Sequence, residues 1–371
     1  MNGYGNYDIL VAKYDSDGDL QWQQQYNGAA NSDDAGTGLY VDGSYNVYVT
    51  GTVATSSTNR DIITIKYNSS GTQQWLETYD SNSFDSGGGI IVESNGNVYV
   101  TGLTYDNGYD SDVITIKNNS SGDEQWATTW DHNNLNDGGV KLAFSDTMVI
   151  VSIVAQHTTT TYKYEVLRLG KVSGNLVNGT VSGTSSTGIN EAFDMVIDDS
   201  GNIYIAGATP VTGQGYDYCV IKLNSNLGIS WERTYNGNDD LDDMARGIKV
   251  DGSGNVYVTG YSTTSSQGKD IVTIKYNSNG TQQWVETYND EYDGDDEAFA
   301  MAIDNYSNIY ITGYTMTDVD QLDSYTAKYD TDGDMIWSIN MDGEAHLNDK
   351  TTNITIDTDS NIVITGSSEE S

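Results

Sequence analysis

The chain has 371 residues, with 54 acidic and 16 basic side chains and a formal net charge of −38. So few bases exclude a phosphate-binding nucleic-acid surface and an anionic membrane surface, both of which need clustered Lys and Arg; the balance favours solubility, cations and basic partners. Hydrophobic residues make up only 36 %, but 28 Tyr and 7 Trp supply area for a core, the single Cys219 allows no internal disulfide, and no apolar run reaches the roughly 18 residues of a membrane-spanning helix.

The start, Met1-Asn2-Gly3-Tyr4, has no basic region and no apolar region, so no signal peptide and no direct membrane insertion are expected of this chain. Two strands are predicted first, Asp8 to Tyr14 (DILVAKY) and Leu20 to Tyr26. A unit of four follows: Gly38 to Asp42, Asn46 to Val53, Asp61 to Tyr67 and Gln73 to Tyr79. β-branched and aromatic residues fill the strands; Gly, Asn, Asp and Ser fill the joints. The turn before the second strand reads SNGN, DSGN or GSGN in other copies, which suits a tight hairpin with positive φ.

The unit then repeats with a period of about 53 residues, marked by Trp22, Trp75, Trp126, Trp231, Trp284 and Trp337, with Val177 in the slot that lacks its tryptophan. A second marker is NVYVTG at Asn46 to Gly51, Asn97 to Gly102 and Asn255 to Gly260, with close variants at Asn202 to Gly207, Asn308 to Gly313 and Asn361 to Gly366. The fourth unit, Thr161 to Val177, has lost both the tryptophan and the GN turn. Pro210 is expected in a loop. The chain closes with Asn353 to Asp357 and Asn361 to Gly366, strands one and two only.

Four antiparallel strands per unit, seven units and no helical period predict an all-β fold, a seven-bladed β-propeller. The N-terminal strands complete the C-terminal blade, so that 1–27 and 350–367 share one blade and 1–371 is expected as a single domain. An open solenoid would not need complementary half-units at its ends.

The pattern D-x-x-x-x-K-Y-x-x-x-G-x-x-x-W, an acidic loop, then I-x-V-D-x-x-G-N-V-Y-V-T-G resembles the SBBP family of seven-bladed propeller repeats. Asp61 to Trp75 (DIITIKYNSSGTQQW) and Asp270 to Trp284 (DIVTIKYNSNGTQQW) carry it most clearly. The diglycines of kelch repeats occur in only some units, at Gly87-Gly88 and Gly138-Gly139. The SBBP resemblance implies a part of a secreted or surface-attached prokaryotic protein and no common catalytic activity.

Residues that keep the period read first as structure. The tryptophans are expected to cover the gap between blades. Lys13, Lys66, Lys117, Arg168, Lys222, Lys275 and Lys328 stand between Asp8, Asp61, Asp112, Asp217, Asp270 and Asp323 on one side and Asp42, Glu93, Asp198, Asp251, Asp304 and Asp357 on the other, which reads as repeated ion pairing. Asp34, Asp85, Asp137, Asn190, Asp243, Asp296 and Asp349 begin the innermost strands. They either ring a channel mouth as cation or polar ligands, or cap their own turns. Asp15 to Asp19 and Asp330 to Asp334 resemble pieces of calcium loops but lack the EF-hand glutamate, and read as hairpin turns.

Where the repeat is irregular, acids crowd: Asp239, Asp240, Asp242 and Asp243 before the fifth unit, and Asp290, Glu291, Asp293, Asp295, Asp296 and Glu297 before the sixth. Ca²⁺, with its many oxygen ligands, is the natural neutraliser of such loops, and a solvated acidic rim is the plainer alternative. The metal ligands expected here are Asp239, Asp240, Asp242, Asp243, Asp290, Asp293, Asp295 and Asp296. Catalytic signals are poor: His132, His157 and His346 fall in three different loops without metal-ligand spacing. Tyr105, Tyr109, Tyr216, Tyr261, Tyr292 and Tyr314 are loop tyrosines available to stack on sugars. The expectation is a non-enzymatic binding or structural module, extracellular or at the cell surface, holding cations or a protein or glycan partner on its acidic loop face. A carbohydrate-active lyase or hydrolase, and a building block of a surface layer or filament, are the alternatives.

Overall fold

A chain of short β-branched and aromatic runs broken every few residues by Gly, Asn and Asp can close backbone hydrogen bonds only between neighbouring strands. The computed structural model describes residues 7–15, 19–30, 32–56, 59–105, 110–131, 134–144, 148–158, 161–178, 191–213, 215–266, 268–290, 292–318, 321–342, 347–357 and 359–369, and among them every regular element is a strand. No helix among the described residues is long and apolar enough to cross a membrane.

Residues 1–180 with 355–371 form one compact unit and residues 181–354 another. The first begins with β1 (Tyr7–Tyr14) and β2 (Leu20–Tyr26). Three sheets of four consecutive strands follow: β3 (Ala35–Val41) to β4 (Val47–Ala54), β5 (Arg60–Tyr67) and β6 (Gln73–Tyr79); β7 (Asp85–Val92) to β8 (Val98–Thr104), β9 (Asp112–Asn118) and β10 (Glu124–Trp130); β11 (Asp137–Phe144) to β12 (Met148–Thr158), β13 (Thr161–Gly170) and β14 (Leu176–Asn178). The second unit repeats the plan in β15 (Glu191–Ile197), β16 (Ile203–Val211), β17 (Gly215–Leu223) and β18 (Ile229–Tyr235); in β19 (Asp243–Val250), β20 (Val256–Thr264), β21 (Gly268–Tyr276) and β22 (Gln282–Tyr288); and in β23 (Glu297–Ile303), β24 (Ile309–Asp318), β25 (Gln321–Tyr329) and β26 (Met335–Met341). β27 (Asp349–Ile356) and β28 (Ile362–Glu369) end the chain. β28 pairs antiparallel with β1, from Tyr7–Glu369 to Tyr14–Ile362, in a sheet ordered β2-β1-β28-β27. The seven-bladed β-propeller expected from the sequence, closed by its N-terminal strands, is therefore the observed fold.

The periodic residues join blade to blade. In the first unit the indole N–H of Trp22 donates to the Ser69 carbonyl (3.1 Å) and that of Trp75 to Ser120 (3.2 Å). In the second, Trp231 donates to Ser278 and Trp284 to Thr331, both at 3.2 Å. Each acceptor belongs to the third-to-fourth-strand turn of the following blade. The glycine of that turn lies flat on the indole: a Cβ on Gly71 (φ +80°) would sit 2.9 Å from Trp22. The gap-covering role expected of the tryptophans is thus observed.

The acid at the end of the first strand organises its hairpin. Asp42 accepts from Ser44 N, Asn46 N, Asn46 Nδ2 and Tyr48 Oη at 2.8–3.0 Å. Asp198 repeats the set with Ser200, Asn202 and Tyr204. Burial opposes the charge at both, but these donors outweigh it and hold the carboxyls below their usual range. The repeated base does not pair directly with this acid, as the sequence suggested. Lys66, Lys117, Lys222, Lys275 and Lys328 lie 4.8–5.1 Å over the rings of Tyr48, Tyr99, Tyr204, Tyr257 and Tyr310. The tyrosine stands between base and acid, taking the cation on its face and giving its hydroxyl to the carboxylate. Of the repeated lysines, Lys13 is the exception: it pairs directly with the strand-one acid Asp357 at 2.9 Å. Replacing Tyr204 by Phe removes one hydrogen bond to a charged acceptor and should cost about 1–2 kcal/mol in urea unfolding; an unchanged midpoint would show that the relay contributes nothing.

Pro210 lies in β16, not in a loop. β15 pairs with that strand only as far as Ala208, so at Pro210 one side of the ladder has already ended and no N–H is required there. Cys219 is fully buried in β17.

Candidate functional site

The acids that begin the innermost strands cap their turns. Asp34 accepts from Gly28 N and Ala54 N, and Asp85 from Ser81 N and Oγ. Asp243 accepts from Gly237 N (2.6 Å) and Thr263 N (3.2 Å), and Asp296 from Asp290 N (2.8 Å) and Met316 N (3.1 Å). Three residues before four of these caps the chain takes a left-handed step, at Asn82, Asn134, Asp240 and Asp293 (φ 52–66°), which Asn and Asp tolerate best. Asp34, Asp85, Asp243 and Asp296 have no exposed surface, so they present no solvent-facing ring. Asn190 lies outside the described residues. Burial drives the carboxyl of Asp243 up and that of Asp296 to about 7.

The remaining loop acids accept from donors of their own loop or of the neighbouring hairpin. Asp239 accepts from Ser265 N and Oγ, Asp240 from Asn236 Nδ2, and Asp242 from Tyr216 N. Asp290 accepts from Tyr292 N, Asp293 from Asn289 Nδ2, and Asp295 from Lys269 N. Glu291 lies outside the described residues. Asp330 likewise accepts from Asp332 N and Asp334 N, a turn as expected. His132 and His346 are outside the described residues; His157 lies in β12 rather than a loop.

Two acidic groups in the first unit were not singled out by sequence. Carboxylate oxygens of Asp61, Asp80 and Asp85 lie within 4.8 Å of one another, as do those of Asp110, Asp112 and Asp131. Each group joins a residue at the start of a third strand, Asp61 or Asp112, to the residue after a fourth strand, Asp80 or Asp131. Burial, then Asp80 and Asp85, push the Asp61 carboxyl up.

The second unit holds a different constellation, built on β-bulges. In six of the sheets the innermost strand carries one extra residue opposite the TG step of the second strand or its counterpart, Ser152-Ile153 in β12 and Ala206-Gly207 in β16. In the first unit the bulged residues are Thr37, Gly88 and Val140; in the second they are Phe193, Arg246 and Phe299. A bulge re-aims its side chain. The Arg246 guanidinium carbon lies 4.0 Å from the Phe193 ring centroid, and its Nε pairs with Glu297 Oε1 at 3.0 Å. Lys269 Nζ pairs with Glu297 Oε2 at 3.2 Å and lies 4.3 Å over Tyr261. Tyr314 donates its hydroxyl to the same oxygen at 3.1 Å, and Lys350 Nζ lies 4.8 Å over the Tyr314 ring. Three of the chain's 16 bases thus converge around one buried glutamate and two buried tyrosines. Burial lowers the Lys350 ammonium and raises the Tyr261 phenol to about 12 and the Tyr314 phenol further.

Of the tyrosines expected in loops to stack on sugars, Tyr216, Tyr261 and Tyr314 lie instead in β17, β20 and β24, and Tyr261 and Tyr314 are buried within this constellation. Tyr105 packs edge-on against Phe84, Tyr292 is exposed, and Tyr109 is outside the described residues. The sequence signal for the site was the repeat slot 193, 246, 299: aligned copies hold small or β-branched residues there until the second unit.

No protein-family model matches the chain, and no curated protein matches it. Among solved structures it is similar to the WD40 domain of Neurospora crassa Pan2, with a TM-score of 0.53 over 91 % of this chain and 90 % of that one, at 8 % identity. It also matches a structure assigned as a gluconolactonase, at a TM-score of 0.40 and 11 % identity over 76 % of this chain and 89 % of that one; nothing further rests on that match. At such identity the likeness to the WD40 domain shows the fold alone: an all-β propeller of seven four-stranded blades.

Proposed function

We propose that this propeller is a non-enzymatic binding module of a secreted or cell-surface protein, of the SBBP repeat type, and that the bulge constellation of the second unit is its recognition centre. The occupant that fits is a glycan carrying carboxylate groups. One observation supports this above the others: in a chain of net charge −38, Arg246, Lys269 and Lys350 gather around a single glutamate beside the partly exposed rings of Phe193 and Phe299. Aromatic faces take sugar rings and guanidinium takes carboxylate. Among the described residues Lys350 has a cation–π contact and no ion pair, which leaves its charge for a ligand. The raised Tyr314 phenol disfavours it as a proton acceptor, which weighs against the lyase reading.

The test is a glycan array of neutral and carboxylate-bearing saccharides, probed with wild type and Lys350→Ala. Carboxylate-bearing ligands should bind selectively, and the substitution should weaken them about tenfold while the melting temperature stays put. Equal binding of neutral sugars, or an indifferent variant, would sink the reading.

A further inference from the structure

We propose that the second unit contains two buried divalent-cation sites, one formed by Asp217, Asn236 and Asp243 and the other by Asp270, Asn289 and Asp296. The inference goes beyond the glycan reading and does not depend on it.

Antiparallel register sets the geometry. β21 and β22 pair from Ile271–Tyr288, so one step outward Asp270 stands opposite Asn289. β17 and β18 pair from Tyr218–Tyr235, which sets Asp217 opposite Asn236 in the same way. Asn236 and Asn289 each give their amide Nδ2 to an aspartate in the left-handed conformation, Asp240 at 2.8 Å and Asp293 at 3.0 Å. That bond fixes the amide and turns its carbonyl oxygen the other way.

What the carbonyl meets is the decisive observation. Among the described residues, the Oδ1 atoms of Asn236, Asn289, Asp217 and Asp270 are all buried and none receives a hydrogen bond. Asp217 and Asp270 are only 6 % and 5 % exposed. Each site therefore sets a carboxylate oxygen opposite an amide oxygen, two acceptors without a donor, in a place from which water is largely excluded. A buried charged acceptor with no donor is among the costliest defects in a protein interior. The neighbouring lysine is no remedy, because Lys269 gives its ammonium to Glu297. Further negative charge surrounds both places: Asp243 and Asp240 act on Asp217, Asp293 acts on Asp270, and Asp270 acts on Asp296. Burial first, then these neighbours, push the Asp217 carboxyl up and that of Asp270 to about 6. A bound cation removes the defect.

The donor chemistry selects the ion. Carboxylate and amide oxygens without nitrogen or sulfur suit a hard cation, Ca²⁺ above all. The first unit shows the same repeat slots with aspartate in place of asparagine: Asp61 with Asp80 and Asp112 with Asp131, whose oxygens lie within 4.8 Å of one another together with Asp85 and Asp110. Oxygens on opposite sides of Ca²⁺ are separated by about 5 Å, twice the metal–oxygen distance. These sites share with the loop acids only Asp243 and Asp296.

The experiment uses the whole chain, stripped with EDTA and desalted, titrated with Ca²⁺ alone by calorimetry and followed by thermal melting. Wild type should bind, and saturating Ca²⁺ should raise the melting temperature by on the order of 2–5 °C. The Asp217→Asn/Asp270→Asn variant keeps shape and removes charge; its stoichiometry should fall by two ions, and its metal-free form should melt no lower than wild type. Asp239→Asn, a change in an exposed loop, should leave both readouts alone. Asn236→Asp/Asn289→Asp, which recreates the first unit's pairing, should tighten binding about tenfold, and it decides the matter if the double Asn variant fails to fold. No calcium binding by wild type, undiminished stoichiometry in the Asp217→Asn/Asp270→Asn variant, or no gain in the Asn236→Asp/Asn289→Asp variant would each overturn the proposal. So would a metal-free wild type that stabilises on acidification and ignores Ca²⁺, since a proton on Asp270 would then be the donor that the asparagine lacks.

Discussion

Gly260→Ala is expected to destabilise the protein by more than about 3 kcal/mol, beyond the ordinary cost of overpacking. Gly260 closes the NVYVTG run of β20 and pairs with Ala245, where β19 bulges. An added Cβ would fall on the carbonyl oxygen of Met244, a backbone atom held in the sheet that cannot swing aside. The same collision awaits at Gly51 with Ala35, at Gly102 with Ser86 and at Gly313 with Glu297. The glycine is therefore present at these positions for close approach to a bulged neighbour, not for a special φ. Gly252 is the control: nothing lies near its added Cβ, and alanine there should change stability by no more than about 0.5 kcal/mol. Urea unfolding of both variants decides it, and a Gly260→Ala cost below about 1 kcal/mol would show that strand and bulge yield easily. If that variant folds, it should also bind acidic saccharides more weakly, because the bulge it disturbs aims Arg246.

That glycine was legible as a repeated letter, and its reason was not. A sequence displays period, and period located the blades, the tryptophans and the turn-capping aspartates, because each repeats a purely local or nearest-blade contact. It misassigned the repeated lysine, since charge pattern alone cannot show that Tyr48 or Tyr204 stands between base and acid. It concealed the bulges, which leave no composition signature when the extra residue is Thr37, Gly88 or Val140. The binding constellation was hidden for a related reason: Phe193, Arg246 and Glu297 are far apart along the chain and meet only through the packing of successive blades. The acid-crowded loops drew attention by count, whereas most of their carboxylates cap their own turns. Asp217 and Asp270 obey the period and so read as ordinary, although their oxygens are the ones left without donors.

Glu297→Gln is expected to cost about 3 kcal/mol and to open the recognition centre at the same time. Glu297 is 3 % exposed and takes hydrogen bonds from Arg246, Lys269 and Tyr314. The amide keeps the shape but removes the only charge that either cation pairs with among the described residues. Arg246 and Lys269 keep 23 % and 29 % of their side-chain surface, so water recovers part of the loss and the cost falls at the low end for a broken buried pair. The Arg246→Leu change removes one cation and leaves Glu297 paired with Lys269; it should cost less, and the two changes together should fall short of their sum, as expected for partners in one network. Binding separates the two as well. Freed of their internal counter-charge, Arg246 and Lys269 should hold a carboxylate-bearing saccharide more tightly in Glu297→Gln, with a steeper loss on adding salt, whereas Arg246→Leu should weaken it. If Glu297→Gln loses stability and affinity together, the glutamate is part of the ligand's own contact set, and the internal counter-ion role assigned to it here fails.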